Sequence, residues 1–331
     1  MLTPYKDQIK YIIDKINIDS DNKIRLSDSE KWLALSSLED RNSYFKDYLY
    51  QNFYCLGTNK KEVDLNKKPI ESYDEFHMQQ QKFVRNLREC NQSVNRLDKG
   101  WKVVQQTREG SVYIEKGEFK RVTRAGSYLR KDPFDSALQN GELVTVSNLK
   151  EAFSSKDLFY HVFGNTMLDD KNNLVRYYFN LKAEGAGLLV KLISEKFNNY
   201  QIPFQFKCIN HPDYYDRVDS AVLYINKRYA NYIFQFLELI YTEIEEYLEE
   251  GVPLFTCQLM RGIGFAENPP NNDSFGFSRC KLLAEKIIEF SRTKVIKSKW
   301  SDEIINFLND LNFDINKFYL NPSSHYPYSF V

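Results

Sequence analysis

The stretch "IPFQFKCINHPDYYDRVDSAVLYIN" (residues 202–226) decides the fold, because two runs of strand-forming residues flank a polar turn. In the first run, apolar residues alternate with Gln205 and Lys207. Alternate residues of a β-strand point to opposite faces of a sheet. The second run, 219–226, begins just after Arg217. The stretch therefore predicts two strands of one sheet, with cations on the face opposite the apolar one.

Helical and strand-like segments alternate around this stretch, which predicts an α+β fold. We expect a helical N-terminal region at 1–99 that could bind a peptide. An α+β domain at 100–331 follows, with a mixed, mostly antiparallel sheet and helices packed on one face. In chain order, the further predicted elements are helices at 3–17, 28–55 and 72–98, short strands within 101–122, a strand at 174–181, and helices at 183–199, 227–250, 276–293 and 301–311.

Charge and cysteine content exclude several classes of protein. Lys+Arg and Asp+Glu both number 45, so the chain lacks the broad basic field of a general nucleic-acid binder. The five cysteines are odd in number and far apart, which argues against a disulfide scaffold or a structural zinc site. No apolar run approaches the roughly 18 residues of a membrane span. We expect a cytoplasmic protein whose partners include no nucleic acid and no membrane.

The polar faces of the predicted strands carry the candidate site residues. Lys and Arg are common on the solvent-facing side of an antiparallel sheet, which is one interpretation of this pattern. The other is a local anion site, because like charges held close repel unless an anion lies among them. If these strands are neighbours, one surface gathers Arg176, Tyr178, Asn180, Gln205 and Lys207. Arg217 lies at the entry of the third strand, and Tyr224 lies within it.

The anion-site interpretation indicates a specific chemistry. Neighbouring cations disfavour the ammonium form of Lys207, so its neutral amine could act as a general base. Arg176 and Arg217 stay charged and would clamp a phosphate, while Tyr178 could donate a proton to the leaving oxygen. This set suits removal of a carbon-bound proton beside a phosphate ester, followed by loss of phosphate.

Three further polar residues each have a functional and a structural interpretation. His211 could contact a substrate or form a turn with the residues that follow it. Arg279, in a helix that Ser274 is expected to cap, could reach an anion or only a carboxylate. His161 lies in an aromatic segment and is interpreted as a packed core histidine. The motifs HExxH and GxxxxGK[ST] do not occur, so a zinc protease or a P-loop enzyme is unsupported.

Four segments in a fixed order resemble the HopA family. They are "VRYYFNLKAEGAGLLV" (175–190), "IPFQFKCINHPDYYDRVDSAVLYIN" (202–226), "VPLFTCQLMRGIGFAENP" (252–269) and "SFGFSRCKLLAEKIIE" (274–289). The family covers type III secretion effectors of plant pathogens and bacterial relatives encoded beside enzymes that modify ribosomally made peptides. The resemblance spans about residues 100–325.

This resemblance implies a function in peptide modification. Relatives in class V lanthipeptide and thioviridamide-like pathways are thought to be lyases. A partner Ser/Thr kinase phosphorylates a precursor peptide, and the lyase eliminates phosphate to leave dehydroalanine or dehydrobutyrine. The effector relatives are instead described as binding plant immune proteins. The resemblance implies no metal and no organic cofactor.

The chain is also distantly similar to phosphothreonine lyases, which implies roles for the strand residues. By this similarity Lys207 would be the base, and Arg176 and Arg217 would bind phosphate with Tyr224 nearby. Tyr178 stands where that family has its histidine acid. HopA relatives often have a lysine at the position of Cys257, so one cation of that pattern is missing here.

We therefore expect a phosphoserine/phosphothreonine lyase acting on a phosphorylated precursor peptide with a leader. The alternatives are a non-enzymatic, effector-like interaction module and a phosphopeptide-binding protein. The expected catalytic residues are Lys207 and Tyr178, the phosphate-binding residues are Arg176, Arg217, Tyr224 and Arg279, and the accessory residues are His211 and Asn180.

Overall fold

The computed structural model describes residues 4–18, 23–26, 38–57, 72–131, 137–168, 173–270, 273–293 and 295–330. Its α-helices are α1 (Pro4–Lys15), α2 (Leu38–Leu49), α3 (Tyr73–Cys90), α4 (Ala186–Asn199), α5 (Ala230–Ile244), α6 (Phe275–Arg292) and α7 (Trp300–Asp310). Its strands are β1 (Ile16–Ile18), β2 (Ile24–Leu26), β3 (Arg96–Gln106), β4 (Ser111–Lys116), β5 (Phe119–Arg124), β6 (Tyr128–Arg130), β7 (Leu143–Asn148), β8 (Glu151–Ala152), β9 (Phe159–Phe163), β10 (Leu174–Phe179), β11 (Phe204–Ile209), β12 (Ala221–Asn226), β13 (Cys257–Met260) and β14 (Ile263–Glu267).

The larger sheet has the strand order β13–β14–β10–β12–β11–β9–β8, and its neighbouring strands are antiparallel. The predicted α+β class is confirmed, and the three strands predicted around residues 202–226 and 174–181 are neighbours. The register places Val222 of β12 opposite both Tyr178 of β10 and Lys207 of β11. The polar residues of these strands therefore lie on one common face, as the alternation predicts.

A smaller sheet has the order β5–β4–β3–β7–β6 and contains the strands predicted within 101–122. Its inner face has a separate hydrophobic core. The buried members of that core are Trp101, Val103, Val112, Ile114, Leu138, Val144 and Val146.

Helices α4 and α5 cover the apolar face of the large sheet. The ring of Phe197 on α4 packs edge-on against Phe204 of β11, with centroids 5.5 Å apart. On α5, the carbonyl of Ala230 accepts a hydrogen bond of 2.8 Å from the hydroxyl of Tyr177, which is on β10. Burial of these large aromatic side chains supplies much of the driving force for folding.

A second group of helices covers the other face of the sheet at β10. Arg176, Tyr178 and Asn180 are only 5%, 3% and 2% exposed, so the solvent-facing interpretation is wrong for this strand. Tyr178 packs against Phe275 at the start of α6 and against Tyr54, in a π-helical turn after α2. Burial on both faces makes every polar group of β10 dependent on an internal partner.

The N-terminal helices share the main core with the sheet. Ile9 and Ile12 of α1 and Phe45 and Leu49 of α2 are buried within it. Helix α1 contacts α7, and α2 contacts α6. The predicted helix at 28–55 lies outside the described residues at 28–37 and continues as α2. Among the described helices, none is long and apolar enough to cross a bilayer.

Local signals explain where several elements begin and end. Ser274 caps α6, as predicted, by accepting a hydrogen bond from the Phe277 amide. Ser72 caps α3 in the same way. The predicted helix 72–98 ends at Cys90 because the residue after it adopts an extended conformation and β3 soon follows.

Candidate functional site

Two cations flank the ring of Tyr224 on β12. The Arg176 guanidinium carbon lies 5.1 Å from the ring centroid, and the Lys207 Nζ lies 5.9 Å from it. The register explains this arrangement, because Tyr224 pairs with Arg176 on one side and with Gln205 on the other. Lys207 lies two residues further along β11, on the same face. The structure thus brings together three of the predicted site residues.

Arg176 is held in a buried position by neutral acceptors. Its Nε and one terminal nitrogen donate to the Asn268 side-chain oxygen, and the same terminal nitrogen donates to the Asp273 carbonyl at 2.8 Å. Among the described residues, no carboxylate forms an ion pair with Arg176. A buried guanidinium without a counter-ion is electrostatically costly, and an anion bound beside it would lower that cost.

Two tyrosine hydroxyls are buried close to Arg176. The Tyr178 hydroxyl lies close enough to Arg176 and to the Tyr54 hydroxyl to interact with both. Among the described residues, however, neither phenol makes a hydrogen bond of regular geometry. Burial raises the pKa of both phenols, so they stay protonated and can donate. We call Arg176, Tyr178 and Tyr54 the donor cluster, since it offers hydrogen-bond donors and no acidic side chain.

Gly276 allows Tyr54 to reach this position. A methyl group at residue 276 would lie 2.5 Å from the Tyr54 ring, well inside van der Waals contact. The close approach of the first turn of α6 to Tyr54 therefore requires glycine. This contact links the end of α2 to the donor cluster.

Lys207 lies at the more open side of the same face. Its side chain is half-buried, and Nζ lies 3.9 Å from the ring centroid of Phe159. Within the described part of the chain, no carboxylate pairs with Lys207. Lys207 and Tyr178 both lie opposite Val222, so their Cα atoms are two strand spacings, or roughly 10 Å, apart.

His161 is a residue of this face that the sequence interpretation missed. It is half-buried on β9, directly opposite Lys207, and its Nδ1 has no hydrogen-bond partner among the described residues. Burial, and then the charge of Lys207, lower the pKa of His161, so its imidazole is neutral at pH 7. The alternation in "FYHVF", with buried residues at 160 and 162, was the signal that could have found it.

Arg217 is not part of the site around Tyr224, because its guanidinium forms an ion pair with a carboxylate. It binds both oxygens of Asp219, at 2.8 and 2.9 Å, and donates to the Tyr50 hydroxyl at 3.1 Å. The Tyr50 hydroxyl donates in turn to Asp219. The charge of Arg217 is therefore already neutralised, and a phosphate would have to compete with Asp219.

The accessory candidates have structural partners elsewhere. The Asn180 amide donates to the carbonyls of Glu250 and Gly251. The His211 ring stacks on Phe76, and its Nδ1 accepts the Asp213 amide, which is the turn-forming role considered above.

Arg279 binds main-chain carbonyls, and no carboxylate of the described residues pairs with it. It donates to the carbonyls of Phe318 and Leu320 and lies over three phenylalanine rings. Burial lowers the pKa of this guanidinium, which the carbonyls and rings stabilise in its charged form.

Position 257 belongs to the opposite face of the sheet. Cys257 pairs with Phe265, which pairs with Tyr177, and these residues share the face covered by α4 and α5. A lysine at this position would not add a cation to the face that carries Arg176. The departure from the family pattern at Cys257 therefore leaves the donor cluster unchanged.

A surface cleft of about 490 Å³ adjoins the donor cluster through Asp273, whose carbonyl accepts from Arg176. The cleft is lined by Ser43, Lys46, Asp273, Ser274, Phe277 and Lys281. Its two lysines make it a suitable surface for an acidic peptide segment. Among the described residues, no cluster of three or more His, Cys, Asp or Glu could hold a metal ion.

The fold and this site define an α+β protein with an antiparallel sheet whose inner face buries cationic and phenolic donors. The chain belongs to the HopA1 effector protein family, whose family model matches residues 152–320, half of the chain. The match includes the strands that carry Arg176, Lys207, Tyr224 and His161. No curated protein matches the chain.

Two solved structures of effector proteins are similar to this chain, both at 14% sequence identity. One is from Pseudomonas syringae pv. tomato strain DC3000 and has a TM-score of 0.45. The other is from Pseudomonas syringae pv. syringae strain 61 and has a TM-score of 0.43. Each similarity covers 74% of this chain and 82% of the other.

Proposed function

We propose that this protein binds phosphoserine or phosphothreonine in a peptide and eliminates the phosphate, leaving dehydroalanine or dehydrobutyrine. The observation that carries the proposal is the donor cluster, a buried guanidinium and two phenols, beside Lys207. Among the described residues, neither Arg176 nor Lys207 has a carboxylate partner. Such a face is complementary to a dianion and to a reaction that releases one.

The donor cluster would hold the phosphate. A phosphate dianion has only acceptor oxygens, and charge-assisted hydrogen bonds from a guanidinium are among the strongest available. The phenols of Tyr178 and Tyr54 would complete the set. Because these donors are fixed by the sheet and α6, they would need little reorganisation as negative charge develops on the leaving oxygen.

Lys207 would be the base. Its amine would take the Cα proton of the phosphorylated residue, and the freed electron pair would form the Cα=Cβ bond as the Cβ–O bond breaks. Phosphate would leave towards Arg176 and accept a proton from Tyr178. The resulting ammonium of Lys207 would then pass its proton through solvent to the phenolate of Tyr178, which restores both groups. The roughly 10 Å between the Cα atoms of Lys207 and Tyr178 gives room for one residue between them.

The substrate that we propose is a ribosomally made precursor peptide with a leader, phosphorylated by a partner Ser/Thr kinase. The four segments that resemble peptide-modifying relatives support this substrate class. The lysine-lined cleft next to Asp273 would suit further negative charge on the peptide.

A second candidate is a protein-interaction module without chemistry, including a phosphopeptide-binding protein. Two observations support this candidate. Arg217 is already paired with Asp219, and Tyr178 is only 3% exposed, so both side chains are less accessible to a substrate. The family, which takes its name from effector proteins, also fits this candidate.

Mass spectrometry of a phosphothreonine peptide after incubation with the protein tests the reaction class. We expect loss of one phosphoric acid from the phosphorylated peptide and no change in the unphosphorylated control. A peptide that stays intact but binds would support the second candidate. A peptide that neither reacts nor binds would contradict both.

A further inference from the structure

Strand β5 forms an open edge of the smaller sheet. It pairs with β4 on one side, and no described strand lies on its other side. An edge strand presents unpaired N–H and C=O groups that another extended chain can bind. The edge is six residues long, and the Arg124 carbonyl at its end already accepts the Ser127 amide at 2.9 Å. The rest of the strand is long enough for a pairing partner to form several main-chain hydrogen bonds.

The outer face of β5 carries an ordered pattern of side chains. Lys120, Val122 and Arg124 alternate along the strand and share the face opposite the small core. Val122 is 54% exposed and pairs with Tyr113 of β4, which is 44% exposed. The outer face therefore shows a cation, an apolar residue and a second cation, with an apolar neighbour on β4.

Strand β5 carries only positive charge. Three of its residues are basic and none is acidic. Glu115 lies opposite Lys120, whereas Arg124 lies opposite Ser111. The third cation, Arg121, faces the other side, where it donates to Asn148 and lies over the Trp101 ring. Within the described residues, neither Lys120 nor Arg124 forms an ion pair.

We propose that the edge of β5 docks an extended acidic segment of another polypeptide, which adds a strand to the sheet. The complementary segment carries acidic side chains at two positions four residues apart and an apolar one midway between them. The acidic residues pair with Lys120 and Arg124, and the apolar residue packs on Val122. Main-chain hydrogen bonds to β5 supply affinity, and the side-chain pattern supplies specificity.

Two other uses of such an edge fit the observations less well. Lysines on edge strands can simply repel other strands, but a purely protective row would not include an exposed valine beside an exposed tyrosine. A nucleic acid would also match the cations, but it has no polypeptide main chain to add as a strand to the edge. A chain with equal numbers of basic and acidic residues also lacks the broad basic field that such binding needs.

Fluorescence anisotropy with a labelled synthetic peptide tests the proposal. The probe carries Glu, Val and Glu at successive alternate positions within a threonine strand. We expect the double variant Lys120→Glu/Arg124→Glu to bind it at least about tenfold more weakly, because two attractive pairs become repulsive. The matched control is Arg108→Glu in the exposed β3–β4 turn, which should leave binding unchanged.

A second probe separates strand addition from charge attraction. Two versions of the same peptide carry methyl groups on alternate backbone nitrogens, one at the odd positions and the other at the even positions. We expect at least one of the two versions to lose binding. The proposal is overturned if the unmodified peptide does not bind, or if both methylated peptides bind as tightly as the unmodified one. It is also overturned if an oligonucleotide at equal concentration displaces the unmodified peptide. Circular dichroism checks that each variant stays folded. The β5 edge shares no residue with the donor cluster, so this docking and the elimination reaction can fail separately.

Discussion

Arg176 and Arg217 lie on strands of the same sheet or at their entry, yet their surroundings differ in one decisive respect. Both oxygens of Asp219 bind Arg217, whereas Arg176 donates to an amide oxygen and a main-chain carbonyl and, among the described residues, has no carboxylate partner. The first region is an internally neutral ion pair. The second is a buried positive charge beside the phenols of Tyr178 and Tyr54. An arginine is therefore available to an external anion only where no carboxylate of the protein is close enough to pair with it.

The two arginines also contribute differently to the stability of the fold. Asp219 is 6% exposed in its side chain, so it depends on Arg217 to compensate its buried charge. Arg176 leaves only neutral acceptors behind when it is removed.

Substituting Lys207→Ala should have the largest effect, a loss of about 10²- to 10⁴-fold in the rate of phosphate release, which is typical of a missing general base. The measurement is phosphate release from a phosphothreonine peptide. The exposed Lys191→Ala on α4 is the matched control and should retain full rate. Full activity in Lys207→Ala would remove this residue from the mechanism.

Removing Arg217 should destabilise the fold more than removing Arg176. We expect Arg217→Ala to cost about 3–5 kcal/mol in the free energy of unfolding, because it leaves the Asp219 carboxylate buried and unpaired. Arg176→Ala should cost about 1–3 kcal/mol and abolish anion binding. Urea denaturation of both variants measures this difference.

The double variant Arg217→Ala/Asp219→Ala provides the control for that comparison. It should recover part of the stability lost in Arg217→Ala, since no unpaired carboxylate remains. Equal costs for the two single arginine variants would show that the contrast between the regions is unimportant for stability.

Substituting Gly276→Ala tests how tightly the donor cluster is held. The added methyl group would clash with the Tyr54 ring, and overpacking of this kind costs about 1–3 kcal/mol. We expect a lower melting temperature and weaker phosphopeptide binding as Tyr54 moves away from Tyr178. Ser278→Ala in the same helix is the control. An unchanged melting temperature in Gly276→Ala would show that Tyr54 has room to adjust.

The smallest effect should be a pH dependence that originates at His161. Its pKa in the folded protein is lowered, so below about pH 6.5 the unfolded chain takes up a proton that the folded protein does not. Stability should therefore fall as the pH decreases from about 7 to 5, by at most about 1.4 kcal/mol per pH unit for one proton. His161→Gln should flatten this slope, and the exposed His325→Gln should not. Parallel slopes in the wild type and His161→Gln would contradict the assignment.

Local patterns predicted much of the fold. The alternation in 202–226 predicted β11 and β12, and the Ser274 cap predicted the start of α6. Several strands were missed because their patterns are weak, among them β6, β7, β9, β13 and β14. Strand β9 is a short aromatic run, and the β13–β14 hairpin is organised by Gly262 in a left-handed turn rather than by a hydrophobic period.

The candidate site was predicted in part. Strand register brings Arg176, Lys207 and Tyr224 together, and alternation alone placed them on one face. Arg217 and Asp219 are two residues apart, but they lie in turns before β12, so strand alternation did not predict their pairing. The contribution of Tyr54 had no sequence signal, because it is far from Tyr178 in the chain.

The sequence by itself determined which residues alternate along the strands, which face is apolar, and where the cations stand in the chain. These features depend on neighbours within a few residues. Only the tertiary structure decided that Tyr54 and α6 cover β10, that Asp219 neutralises Arg217, and that Arg176 has no carboxylate partner among the described residues. Burial and charge pairing depend on contacts between distant segments, and no local pattern specifies them.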